Sequence, residues 1–156
     1  MHLASVAFQE GKSIPTKYAH HGVVGGKNIS IPLTWGGVPA EAKSFVLSIV
    51  DPHPVANNWV HWFVINIPRG ITSLPEGASG RNMPVESKEL YNSYGTIGYG
   101  GPQPPKGSGP HPYEVTLHAL NIERLDLSVN ASLTAFRKAL EGKVIASAKT
   151  TGIYER

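Results

Sequence analysis

The chain has 156 residues, 40% of them hydrophobic and 16% charged, with a net charge of +3 and no cysteine. That length and balance suit one globular domain, residues 1–156, with a genuine core, and exclude a disordered or coiled chain. Disulfides, thiolate metal sites and cysteine nucleophiles are excluded, and the scattered Lys and Arg leave no nucleic-acid footprint.

With 17 Gly and 13 Pro the chain turns often, which favours an all-β fold over a helical bundle. The N-terminus, MHLASVAFQEGKSIP, lacks the charged and apolar regions of a signal peptide, so a cytoplasmic location is expected. The sequons at Asn28 and Asn130 are then chance matches. Residues 1–42 are turn-rich, with short strands expected around Ser5–Phe8 and Ile29–Leu33. KSFVLSIVD, 43–51, is the first strong strand, and its length and β-branched content outweigh an imperfect alternation. WVHWFVINI, 59–67, is the second, and the short loop between them makes them antiparallel neighbours.

Residues 68–111 read as a long loop-dominated region, and a connection of that length in a compact domain is usually functional. YEVTLHAL, 113–120, alternates cleanly: Tyr113, Val115, Leu117 and Ala119 on one face, Glu114, Thr116, His118 and Leu120 on the other. A helix follows over about 132–141. Asn130 or Ser132 caps it, Leu133, Phe136 and Leu140 form its apolar face, and Gly142 ends it. The tail KVIASAKTTGIYE is strand-like. No stretch approaches the roughly 18–20 apolar residues of a membrane span.

The chemistry gathers at strand ends. Parity puts His61 on the face of Trp59, Phe63 and Ile65. Taken alone it is either a core histidine held by one hydrogen bond or a pocket group. Asp51 ends the preceding strand at the same sheet edge. The segment GYGGPQPPKGSGPHPYEV, 98–115, delivers His111 and Tyr113 on one face. Its glycines allow close backbone approach and its prolines stiffen it, as they also would in an ordinary surface turn. Together these groups outline a small pocket suited to an oxyanion, with at least one histidine acting as a charged donor. His118 has the opposite parity and is expected outside the pocket.

Three motifs carry a resemblance. NISIPLTWGGVP, DPHPVANNWVHWFVINIP and GYGGPQPPKGSGPHPYEVTLHAL, in that order and spacing, resemble the signatures of the phosphatidylethanolamine-binding protein family, in particular its bacterial and archaeal Raf-kinase-inhibitor-like branch. The resemblance implies an antiparallel β-sandwich with one or two short helices and a pocket for phosphate-like or phospholipid head groups. It implies ligand-binding roles for Asp51, His61, Pro104, Pro105, His111 and Tyr113, with no cofactor or metal, and it makes homodimers plausible.

The chain also departs from the family pattern. DPHPV is shorter than the usual Asp-Pro-Asp-Ala-Pro and has His53 near the place of a second aspartate. HPY carries proline where arginine is usual. The chain ends at TGIYER, without the animal members' extended C-terminal helix, so a pocket more open on that side is expected. Two other functions stand beside the binding reading. One is a metal-dependent hydrolase using Asp51, His53, His61 and His111, which no hydrolase motif supports. The other is a kinase- or protease-inhibitor-like interaction module, for which the sequence specifies no partner.

Overall fold

In the computed structural model, which describes residues 1–156, the chain forms β1 (His2–Ala4), a 3₁₀ turn (Thr16–Tyr18), β2 (Leu33–Gly36), β3 (Ser44–Asp51), β4 (Trp59–Pro68), β5 (Ser73–Leu74), β6 (Lys88–Glu89), β7 (His111–Leu120), α1 (Leu133–Leu140) and β8 (Val144–Tyr154). Two antiparallel sheets result, one ordered β1-β2-β5 and the other β6-β4-β3-β7-β8. β3 lies at the centre of the larger sheet with every residue buried. That is why it reads as an apolar run rather than an alternation.

The main core lies between the sheets. Leu33 and Trp35 of β2 and Leu74 of β5 meet Phe45, Leu47, Trp62, Val64, Val115 and Leu117 of the larger sheet. On that sheet's other face, Val46, Phe63 and Ile65 pack against Phe136 and Leu140 of α1. The Phe63 and Phe136 rings stack 4.4 Å apart. Ser132 caps α1 by accepting from the Ala135 N–H, and Gly142 just past its end takes φ 71°.

Two expectations shift. The first strands fall at 2–4 and 33–36 rather than 5–8 and 29–33. Ser5 turns the chain instead, its hydroxyl accepting from Ala7 N–H and donating to the Pro32 carbonyl; Pro32 itself has no N–H to give a ladder. The second shift is in the phase of β4. Ile49 pairs with Trp62 and Val50 with Val60, which leaves His61 as the extra residue of a β-bulge. His61 and Trp62 therefore both turn toward the sandwich interior, while Phe63 and Ile65 face α1. The expected common face for His61, Phe63 and Ile65 is wrong for this reason. A second irregularity lies between the Leu47–Val64 and Phe45–Ile67 pairs; within it Asn66 takes φ 59° and clamps both backbone polar groups of Leu125.

Candidate functional site

β3 ends, β4 bulges and β7 begins at one edge of the larger sheet, and the 98–110 segment closes over it. A cavity of about 390 Å³ opens there. All six residues singled out from the sequence line it: Asp51, His61, Pro104, Pro105, His111 and Tyr113. Trp59, Tyr94, Gln103, Val55 and Ala56 complete the wall.

His111 is fully buried at the start of β7. Its Nδ1 lies 2.6 Å from Asp51 Oδ2 and its Nε2 lies 2.8 Å from Ser108 Oγ. The Ser108 hydroxyl also lies 2.6 Å from the Pro105 carbonyl, to which it can donate. His111 is thus held on both sides, by a carboxylate at Nδ1 and a hydroxyl at Nε2. The other Asp51 oxygen accepts from His53 N–H at 2.9 Å. The His53 ring, its Nδ1 accepting from Val55 N–H, stacks on His111 at 3.8 Å.

His61 is held differently. Its Nδ1 lies 2.6 Å from the Gly100 carbonyl, and its own carbonyl accepts from Gly100 N–H at 2.8 Å. Because a carbonyl only accepts, Nδ1 carries the proton. Burial pushes the imidazole down to about 4, against the opposing pull of the Gly100 carbonyl and the Asp51 charge. His61 is therefore neutral near pH 7 and is not the charged donor expected from the sequence. The 100–101 dipeptide has no room for side chains: a Cβ on Gly100 would strike the Tyr94 ring, and one on Gly101 the Tyr18 carbonyl.

The phenols frame the opening. Tyr113 is 1% exposed, and burial, then the Asp51 charge, raises it far above the ordinary tyrosine value, so it stays protonated. Its ring meets His61 edge-on at 4.9 Å. Tyr94 donates to the Gly101 carbonyl at 2.8 Å and stacks on His20 at 4.3 Å. Arg156 Nε donates to the Pro104 carbonyl at 2.7 Å, pinning the proline wall. Tyr94, Gln103 and Ser108 were not singled out from the sequence. Ser108 had a signal, since it lies three residues before His111 in a loop already marked. Tyr94 and Gln103 had none beyond their loops.

Asp51, His111 and Ser108 are linked in series through the two ring nitrogens of His111. No three His, Asp or Glu side chains are arranged to hold a metal ion. His118 lies on the other face of β7, bonded to Ser147 Oγ at 2.6 Å and away from the cavity.

The family model for phosphatidylethanolamine-binding proteins matches residues 4–155. The chain belongs to that family. It is 43% identical to a UPF0098 protein of Methanothermobacter thermautotrophicus over 100% of this chain and 99% of the relative. Its fold superposes on the crystal structure of Escherichia coli YbcL, described as a member of the mammalian family, with a TM-score of 0.93 and 35% identity over 99% and 98% of the two chains. A family homologue from Chlamydia trachomatis superposes with a TM-score of 0.84 and 34% identity over 99% and 97%. No helix is long and apolar enough to cross a membrane.

Proposed function

We propose that this protein is a non-catalytic binding module whose sheet-edge cavity takes a small phosphate-like anion, free or as a lipid head group. The observation that carries the reading is the state of the only carboxylate in the cavity wall. Both Asp51 oxygens accept internal donors, so an incoming anion meets no free carboxylate oxygen. It meets instead the Tyr113 hydroxyl, which has no partner in the protein, beside the His111 imidazole. The names of the family and of its relatives, which refer to a phospholipid, agree with this ligand class.

Titration calorimetry with inorganic phosphate tests the proposal. The wild-type chain should bind, and His111→Ala and Tyr113→Phe should each weaken binding by about tenfold, the worth of one hydrogen bond or charge contact. Phosphate that shifts no amide resonance between residues 51–61 and 103–113 would end this reading.

A further inference from the structure

A second cavity lies on the outer face of the larger sheet, where α1 packs over β3 and β7. Its volume is about 120 Å³, and it shares no residue with the sheet-edge cavity. Ser48, Thr116, Glu114, His118 and Arg137 supply its polar lining. Val50, Leu133, Phe136 and Leu140 supply the apolar lining.

Ser48 is out of place by composition. It sits in the middle of the central strand SFVLSIVD and is 7% exposed, in register between Phe63 of β4 and Thr116 of β7. Ser44 of the same strand donates to the Ile122 carbonyl at 2.6 Å, whereas the hydroxyls of Ser48 and Thr116 bond to no protein group. Trp35 Nε1 is the sole completely buried side-chain polar atom without a partner, so the Ser48 hydroxyl is reached from the cavity it lines. A hydroxyl taken this far from water carries a desolvation cost that only a partner offsets, and the protein provides none.

The charges around it are unbalanced. Glu114 is matched by Lys149, whose Nζ donates to it at 3.0 Å. Burial lowers His118, which is neutral near pH 7 with its Nδ1 against Ser147. Arg137 has neither an ion pair nor a side-chain hydrogen bond, so it is the one unmatched charge of the cavity.

From this we infer that the cavity beneath α1 binds a small aliphatic monocarboxylate. Its oxygens accept from the Ser48 and Thr116 hydroxyls and from the Arg137 guanidinium, whose planar fork suits a carboxylate. Its alkyl part packs on Leu133, Phe136 and Leu140. The volume holds about four waters, or a carboxylate of about four carbons in their place. A dianion such as sulfate would leave one of its charges unmatched and gain nothing from the apolar wall. An amine would meet the Arg137 cation, and a carboxylate already engaged by Lys149.

The test titrates sodium butyrate, butyramide and sodium sulfate into the ¹⁵N-labelled protein at about pH 7, where butyrate is ionised, and follows the amide resonances. Butyrate should shift Ser48, Thr116 and residues 133–140, saturating with a dissociation constant of about 1 mM, as suits so few atoms. Butyramide, the uncharged isostere, should bind at least about tenfold more weakly, the equivalent of one charge-assisted hydrogen bond. Arg137→Gln should reduce butyrate to the level of butyramide, and Arg137→Lys, which keeps the charge without the fork, should recover part of the loss. Arg137 is exposed and bonds to nothing in the protein, so both variants should fold as the wild type does. Ser48→Ala should weaken butyrate by about tenfold without lowering the melting temperature, because the hydroxyl serves the ligand and not the fold. A lower melting temperature with butyrate affinity intact overturns that role. Absence of a saturable shift at these residues up to about 50 mM butyrate overturns the site. Shifts confined to residues 51–61 and 103–113 would place butyrate in the sheet-edge cavity and overturn it equally. Affinity for butyramide or sulfate equal to that for butyrate overturns the recognition of a monocarboxylate.

Discussion

Asp51 and His111 are separated by 60 residues in sequence and by 2.6 Å in space, with side chains 3% and 0% exposed. They join the end of β3 to the start of β7 at the cavity edge, beyond the last registered pair between those strands, Val50 and Glu114. Removing one member of such a pair leaves the other buried without its partner.

Asp51→Asn is therefore expected to lower stability by about 3–5 kcal/mol in urea denaturation. It should also weaken phosphate binding, because His111 loses the partner that orients it. Tighter binding in Asp51→Asn would mean that the carboxylate merely repels the ligand.

Ser108→Ala removes the partner of His111 Nε2 and should cost about 1–3 kcal/mol, the penalty of leaving a buried polar atom unmet. Ser108→Thr keeps the hydroxyl and should restore most of the loss. Equal melting temperatures for wild type and Ser108→Ala would show that Nε2 has another partner.

His61 sets an acid limit. The unfolded chain takes up its proton near the ordinary 6.5, whereas the folded protein refuses it until about 4. Unfolding therefore binds a proton between those values, and stability falls as pH drops from 6.5 to 4, by on the order of 3 kcal/mol. Burial lowers His20 and His118 as well, and both add to the same trend. In His61→Gln most of this slope should vanish; an unchanged slope would assign the acid sensitivity elsewhere.

His118→Ala should leave phosphate affinity unchanged and stability within about 1 kcal/mol, since it breaks one partly exposed hydrogen bond on the far face of β7. A loss of affinity would contradict the observed strand phase.

The sequence made legible what depends on side-chain pattern. β3, β4, β7 and α1 lie close to where alternation, apolar runs and caps put them, and the six site residues share one cavity. What escaped depends on backbone. The bulge at His61 changes which face each residue of β4 occupies, and a single extra residue leaves no compositional trace. The 68–111 region reads as loop and is largely that, yet it is tied down by Glu89, whose carboxylate accepts from Trp62 Nε1, Ser79 Oγ and Gly80 N–H. Such a hub involves residues far apart in sequence, and so does the stacking of Tyr94 on His20.

Tyr113 belongs to two structures at once. Its ring is part of the core between the sheets, while its hydroxyl is left to the cavity. The floor of the site is thus as fixed as the core, and Arg156 pins the proline wall that faces it. A ligand then arrives at a surface already in its final shape, so the rate of capture should follow the frequency of encounter more than any rearrangement of the fold.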